Sequence, residues 1–176
     1  MRASSCYTYK SQAINVLKKE EYNIAVHAFS ARLYRYVYKC LGDSDDSKDI
    51  VQDSFEKLWQ NYSKVQFESA KSWLFTTAHN GLVNFLKKRA RIDFYEEIPE
   101  IPNGYSDGYE TRQLINSCLE TLPPIQKSVL LLRDLEGYDY LEIGKILNLS
   151  ESQVKVYLFR ARLKIKNQLK DLTVLS

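Results

Sequence analysis

Two capping boxes stand eleven residues apart near the end of the chain, Asp139 with Glu142 and Ser150 with Gln153. In each, the first side chain can satisfy an orphan amide at a helix start while the residue three positions on reaches back. The pair dictates a short helix, a tight turn over Asn148-Leu149-Ser150 and a second, longer helix. Ile143, Ile146 and Leu147 face inward from the first helix. Val154, Leu158, Ala161 and Ile165 recur on the second at i, i+4, i+7 and i+11, a single apolar stripe. That stripe must pack on Ile143, Ile146 and whatever helix precedes them.

The same spacing governs the rest of the chain, and an all-α fold is expected. Only 6 Gly and 4 Pro interrupt 176 residues. A short helix is expected over about Gln12–Lys18. A longer one, about Tyr22–Leu41, aligns Val26, Phe29, Leu33, Tyr36 and Val37. Gly42-Asp43-Ser44-Asp45 breaks it with turn residues. A third helix, about Ser47–Gln60, buries Ile50, Val51, Phe55, Leu58 and Trp59. Polar Tyr62–Glu68 reads as a loop, and a fourth helix, about Ala70–Arg91, buries Leu74, Ala78, Leu82, Phe85 and Leu86. Pro99, Pro102, Gly104 and Gly108 mark a linker over Ile92–Tyr109. A further helix covers about Thr111–Thr121. Pro123-Pro124 opens the next, because proline suits a first helical turn, and Ile125, Val129 and Leu132 form its stripe until Gly137 ends it.

Charge divides the chain in the same places. Residues 1–91 carry 15 Lys/Arg against 9 Asp/Glu, residues 92–111 carry six acids and no base, and residues 112–176 carry 10 bases against 7 acids. Two basic helical domains, 1–91 and 112–176, joined by a flexible acidic tether over 92–111, suit two separate contacts with a polyanion. The acidity of the tether keeps it from competing for that polyanion.

A helix-turn-helix places its second helix in the major groove of DNA. Its outer face here carries Ser152, Lys155, Val156, Phe159 and Arg160, with Gln153 at the edge. Thymine methyl groups would give Val156 and Phe159 an apolar partner, and Gln153 and Arg160 could pair with base edges. Lys155, Arg162 and Lys164 have the reach for phosphates, which position a helix without specifying sequence. On the fourth helix, Asn80, Asn84, Lys87 and Arg91 lie opposite the apolar stripe, and Lys87, Lys88, Arg89 and Arg91 form a basic cluster. Tyr62, Trp73 and Phe75 are candidates for stacking on unpaired bases. The plainer readings are an amphipathic helix meeting another protein, and cations that simply favour a helix C-terminus.

The order of these motifs resembles a sigma factor of bacterial RNA polymerase, of the compact extracytoplasmic-function (ECF) group. Three stretches carry the likeness: Asp49-Ile-Val-Gln-Asp-Ser-Phe-Glu-Lys-Leu-Trp59; Ser72-Trp-Leu-Phe-Thr-Thr-Ala-His-Asn80 running into Lys87-Lys-Arg89; and Leu122-Pro-Pro-Ile-Gln-Lys-Ser-Val-Leu130 through the helix from Ser150 to Lys164. The resemblance implies that Asp49, Gln52, Asp53, Glu56 and Trp59 bind the clamp helices of the polymerase β′ subunit. It implies that Tyr62, Asn80, Asn84, Lys87, Lys88, Arg89 and Arg91 serve the minus-ten element. The helix after Ser150 would read the minus-thirty-five element, with its domain gripping the β flap, and an anti-sigma factor is an expected partner. His79 stands where an arginine is common in the family, and Gly81 where a larger residue is usual.

Two alternatives share parts of this pattern. A polymerase-independent helix-turn-helix regulator uses the C-terminal domain alone, and a protein-binding helical adaptor needs neither basic face. An enzyme is not expected: His27, His79 and the cysteines lie at no metal-ligand spacing, and no Gly-rich phosphate loop or nucleophile motif occurs. No cofactor, metal or small-molecule substrate is expected. Cys6, Cys40 and Cys118 are widely spaced without a CxxC pair and read as reduced packing residues. The longest apolar run, Val129–Leu132, is far short of the ~18 residues of a membrane span. With no signal-type segment in Met1–Lys10, the chain is expected in the cytosol.

Overall fold

The computed structural model describes residues 17–92 and 109–174. Seven α-helices are found among them: α1 (Lys19–Leu41), α2 (Ser44–Gln60), α3 (Ala70–Ile92), α4 (Tyr109–Glu120), α5 (Pro124–Leu130), α6 (Tyr140–Leu147) and α7 (Glu151–Val174). No strand occurs among the described residues. The expected helix over Gln12–Lys18 lies outside the described residues except at Leu17 and Lys18, which are not helical. Leu17 is buried and donates its amide to Val65 O at 2.7 Å. Lys18 caps α1 instead, its amide donating to Glu21 Oε2 at 2.7 Å.

Local chemistry sets the helix boundaries in the first half. Gly42 ends α1 at φ +78°, a left-handed conformation that costs glycine little. Asp43 follows at once as the cap of α2, its Oδ1 accepting from the amides of Asp45 and Asp46 at 2.9 Å each, a cap of about 1 kcal/mol. The break thus spans two residues where sequence chemistry suggested four. Tyr62–Glu68, expected as a loop, is wound into two 3-10 turns, Tyr62–Lys64 and Phe67–Ser69. Leu33, Tyr36 and Val37 of α1, Ile50, Phe55 and Leu58 of α2, and Leu74, Phe75 and Ala78 of α3 form the core of this three-helix unit. Two aromatic expectations are corrected. Trp59, placed on the apolar stripe of α2, is 42% exposed, and Phe75, considered for base stacking, is fully buried.

The second half keeps its expected helices, with one addition. Pro124 opens α5, but beyond Leu130 the chain widens into a π turn, Leu131–Leu135, closed by Glu136 N to Leu131 O at 3.1 Å. Gly137 then reverses the chain at φ +75°. Asp139 and Glu142 form the expected capping box on α6 at 2.8 Å in both directions. Ser150 and Gln153 do the same for α7, at 2.8 and 3.2 Å. Val154, Leu158 and Ala161 are buried against Ile143 and Ile146, while Ile165 is partly buried against the same core.

The two halves pack on one another. Tyr138 stacks edge-on to Phe75 with centroids 5.4 Å apart, and α3 lies along α6 while α1 contacts α5 and the π turn. The buried residues of both halves form one continuous apolar cluster. Residues 93–108, the greater part of the expected linker, lie outside the described residues; Ile92 belongs to α3 and Tyr109 to α4.

Candidate nucleic-acid interface

The turn between α6 and α7 is built by a close backbone approach. Asn148 adopts the left-handed conformation at φ +54°, one that Asn tolerates better than most residues. This swings the Leu149 amide onto Gly144 O at 2.8 Å. A Cβ on residue 144 would lie 2.7 Å from Leu149 O, so only glycine fits without movement. Gly144 was missed by sequence reasoning; the available signal was a glycine inside an amphipathic helix, which often marks close approach.

With its inner stripe committed to the core, α7 presents Ser152, Gln153, Lys155, Val156, Phe159 and Arg160 outward, all exposed. Phe159 is 66% and Val156 44% exposed. Burying such apolar groups on a partner would gain roughly 25 cal/mol per Å² of area removed from water. Several polar candidates already have intramolecular partners. Lys155 pairs with Glu151 at 2.6 Å and lies 5.6 Å from the Tyr140 ring centroid. Arg162 forks onto Asp134, with Nη2 to Oδ1 at 2.7 Å, and Lys164 Nζ donates to Thr121 O. Gln153 spends its carbonyl oxygen on the Ser150 amide, leaving its amino group for other contacts.

The exposed face of α3 carries Asn80, Asn84, Lys87, Lys88, Arg89 and Arg91. A groove separates this helix from α2, lined by Asp46, Asp49, Asp53, Lys57, Gly81 and Asn84 among others. Asp46 is held above the usual carboxylate range by burial and its Asp43 neighbour, against an opposing pull from Arg89, with Asp49 and Asp45 adding to the rise. Gly81 faces α2 here, but a Cβ would meet Ile50 Cγ2 at 3.4 Å, an ordinary contact, so the approach of the helices does not require glycine. Gln52, Asp53, Glu56 and Trp59 are exposed along the outer side of α2. Trp59 anchors an aromatic cluster at its end, stacking on Tyr62 at 5.5 Å and meeting Tyr22 edge-on at 5.0 Å. Tyr62 is therefore half-buried against Trp59 rather than freely presented. The structure thus brings the α2 acids and α3 amides to one side of the first unit and the α7 face to the second.

His79 belongs to neither surface. It is buried with Nδ1 3.1 Å from Tyr36 Oη, and burial pushes its pKa down to about 4. The position where a family arginine is common thus holds a neutral side chain at neutral pH. Among the described residues no group of His, Cys, Asp and Glu could hold a metal ion, Cys40 and Cys118 are free thiols, and no helix is long and apolar enough to cross a membrane.

Residues 25–92 match the family Sigma-70 region 2, and residues 112–165 match Sigma-70, region 4. The chain is 26% identical to ECF RNA polymerase sigma factor SigE of Mycolicibacterium smegmatis, over 82% of this chain and 60% of that protein. It is 30% identical to the ECF RNA polymerase sigma-E factor of Haemophilus influenzae, over 88% of this chain and 90% of that protein. In fold it resembles the sigma factor RpoE of Bartonella quintana, solved with the anti-sigma factor NepR, at a TM-score of 0.71 and 23% identity over 86% of this chain and 98% of that one. The two matched regions, in this order, and identity across nearly the whole of a sigma-E factor place this chain in the family of ECF RNA polymerase sigma factors.

Proposed function

We propose that the chain binds core RNA polymerase and directs it to promoters, melting DNA and starting transcription. The observation that supports this best is the groove between α2 and α3, where Asp49 and Asp53 line one wall and Asn84 the other. A polymerase-facing surface and a DNA-facing surface would then meet along one edge, so that docking on the enzyme positions α3 against the minus-ten element. Asp49, Gln52, Asp53, Glu56 and Trp59 contact the β′ clamp helices. Asn80 and Asn84 hydrogen-bond bases, Lys87, Lys88, Arg89 and Arg91 hold phosphates, and Tyr62 stacks on an unpaired base.

In the same reading residues 112–176 form the minus-thirty-five domain, which also grips the β flap, and 92–111 tether it to the domain 1–91. Val156 and Phe159 meet thymine methyls, Arg160 and Gln153 pair with base edges, and Ser152, Lys155, Arg162 and Lys164 approach the backbone. Arg162 and Lys164 would have to leave Asp134 and Thr121 O to do so. An anti-sigma factor is the proposed inhibitor, the chain is not an enzyme, and it acts in the cytoplasm.

Run-off transcription with core polymerase tests this. Core enzyme plus the chain should give transcripts from its promoters, and Asp53→Lys with Glu56→Lys should abolish assembly while leaving the fold and α7-mediated DNA binding intact. Assembly that survives both substitutions would remove α2 from the polymerase contact.

A further inference from the structure

A cavity of about 280 Å³ lies where α3 faces α5, apart from both surfaces described above. Leu82, Val83 and Leu86 of α3 wall one side, and Leu122, Pro124 and Ile125 about the start of α5 wall the other. Its lining shares no residue with the α2, α3 and α7 positions assigned to polymerase or DNA. The site therefore stands or falls independently of the promoter reading.

Two donors converge on this apolar sleeve. Lys127 of α5 is 9% exposed, yet it makes no ion pair among the described residues. Its Nζ donates only to Cys40 O, at a long 3.4 Å. Burial lowers its pKa, partly offset by Cys40 and Glu120, as expected of a cation whose charge is not fully answered. His79 of α3 lines the same cavity, with Nδ1 3.1 Å from Tyr36 Oη. With the tyrosine donating, the ring proton sits on Nε2. Nε2 makes no hydrogen bond among the described residues and is not enclosed by protein, so it opens on the cavity. Tyr36 and Cys40 are one turn apart on α1, which anchors both donors close together.

We propose that this cavity binds a small monocarboxylate, its carboxylate on Lys127 Nζ and His79 Nε2 and its hydrocarbon body between α3 and α5. An apolar pocket with a few convergent polar groups is the usual form of a small-molecule site. A buried lysine beside an N–H donor selects an anion, because charge-assisted hydrogen bonds are the strong ones. Glu120, exposed at the rim, opposes a second negative charge, so a phosphate or dicarboxylate is disfavoured. At about 30 Å³ per water, the volume admits a ligand of roughly eight to ten non-hydrogen atoms. A ligand that binds only the folded chain raises its thermal midpoint by mass action.

The test titrates the full chain with octanoate, and with 1-octanol and octylammonium as its neutral and cationic counterparts. Octanoate should bind about tenfold more tightly than 1-octanol, and octylammonium should not bind. At about a hundred times its measured Kd, octanoate should raise the thermal midpoint by about 5–10 °C. Lys127→Met keeps the apolar stem and removes the charge; it should cost octanoate about tenfold and leave 1-octanol unchanged. Val83→Phe fills the cavity without touching the charge and should remove both ligands. Circular dichroism verifies the helix content of each variant, and the comparison of the three probes decides the matter if either fails to fold. Octanoate that binds no tighter than 1-octanol, or not at all because part of the chain already fills the cavity, would overturn the site. Octanoate binding that survives Val83→Phe would place the ligand elsewhere and overturn it too, and affinity unchanged in Lys127→Met would overturn the carboxylate anchor.

Discussion

The amide of Leu149 donates to the carbonyl of Gly144 at 2.8 Å, and this bond fixes how tightly the turn folds back on α6. Everything α7 presents depends on it. Gly144→Ala brings a Cβ to within 2.7 Å of Leu149 O, a backbone atom that cannot rotate away. Alanine recovers about 1 kcal/mol of helix propensity, but overpacking of this kind costs about 1–3 kcal/mol. A net loss in urea unfolding is expected, with weaker minus-thirty-five binding because α7 is re-aimed. An unchanged midpoint would mean that the turn yields without strain.

Phe159 is 66% exposed and is not among the hydrophobics packed against the core, so Phe159→Ala should alter stability by less than about 0.5 kcal/mol. Its effect should appear on DNA. If the ring meets thymine methyls, replacing thymine by deoxyuridine in the minus-thirty-five element should weaken binding by the wild-type chain. The same replacement should have no effect on Phe159→Ala, since the contact is already gone. Equal losses for both chains would show that the ring touches something else.

The capping chemistry of Asp139, Glu142, Ser150 and Gln153 was legible because it is local: each bond joins residues three apart. The inner stripe of α7 was legible for the same reason, and so was the unusual exposure of Val156 and Phe159. What escaped depends on distant partners. The π turn at Leu131–Leu135 has no local signature, since its wide register is chosen by where Glu136 and Tyr138 find α1 and α3. Trp59 fits a helical stripe by spacing, yet its neighbours are Tyr22 and Tyr62 at the rim. Phe75 reads from sequence as a candidate for base stacking because its inward partners, Tyr36 and Tyr138, lie far from it in the chain. Arg162 and Lys164 are long cations on an outward register, and only the tertiary fold shows Asp134 and Thr121 claiming them.

His79 makes stability depend on pH in a defined direction. Its ordinary pKa of 6.5 is lowered to about 4 by burial, so between these values the unfolded chain binds a proton that the folded chain refuses. Stability is fully present above about pH 6.5 and is lost as pH falls towards 4. Between pH 7 and pH 5 this one group should remove about 2 kcal/mol. His79→Gln, which can still accept from the Tyr36 hydroxyl, should lose correspondingly less over that interval. Parallel pH dependence of the two chains in urea unfolding would show that His79 is not the responsible group.

The basic end of α3 should be separable from its amides by salt. Lys87 and Lys88 are exposed one turn before the end of the helix, whose last turn holds Arg89 and Arg91, so any gain from the helix dipole falls below the roughly 0.3–1 kcal/mol of a last-turn cation. Either role alone leaves a different signature. If both hold phosphates, Lys87→Gln with Lys88→Gln should reduce the slope of log affinity against log salt by about 0.7–0.9 per residue, depending on whether the contacted DNA is single- or double-stranded. The weakening should be the same for all minus-ten sequences, because phosphate contacts carry no base information. Asn84→Ala should do the converse, leaving the slope unchanged while flattening the preference among minus-ten variants. A double lysine variant whose slope matches wild type, but whose melting midpoint falls, would assign these lysines to the helix dipole rather than to DNA.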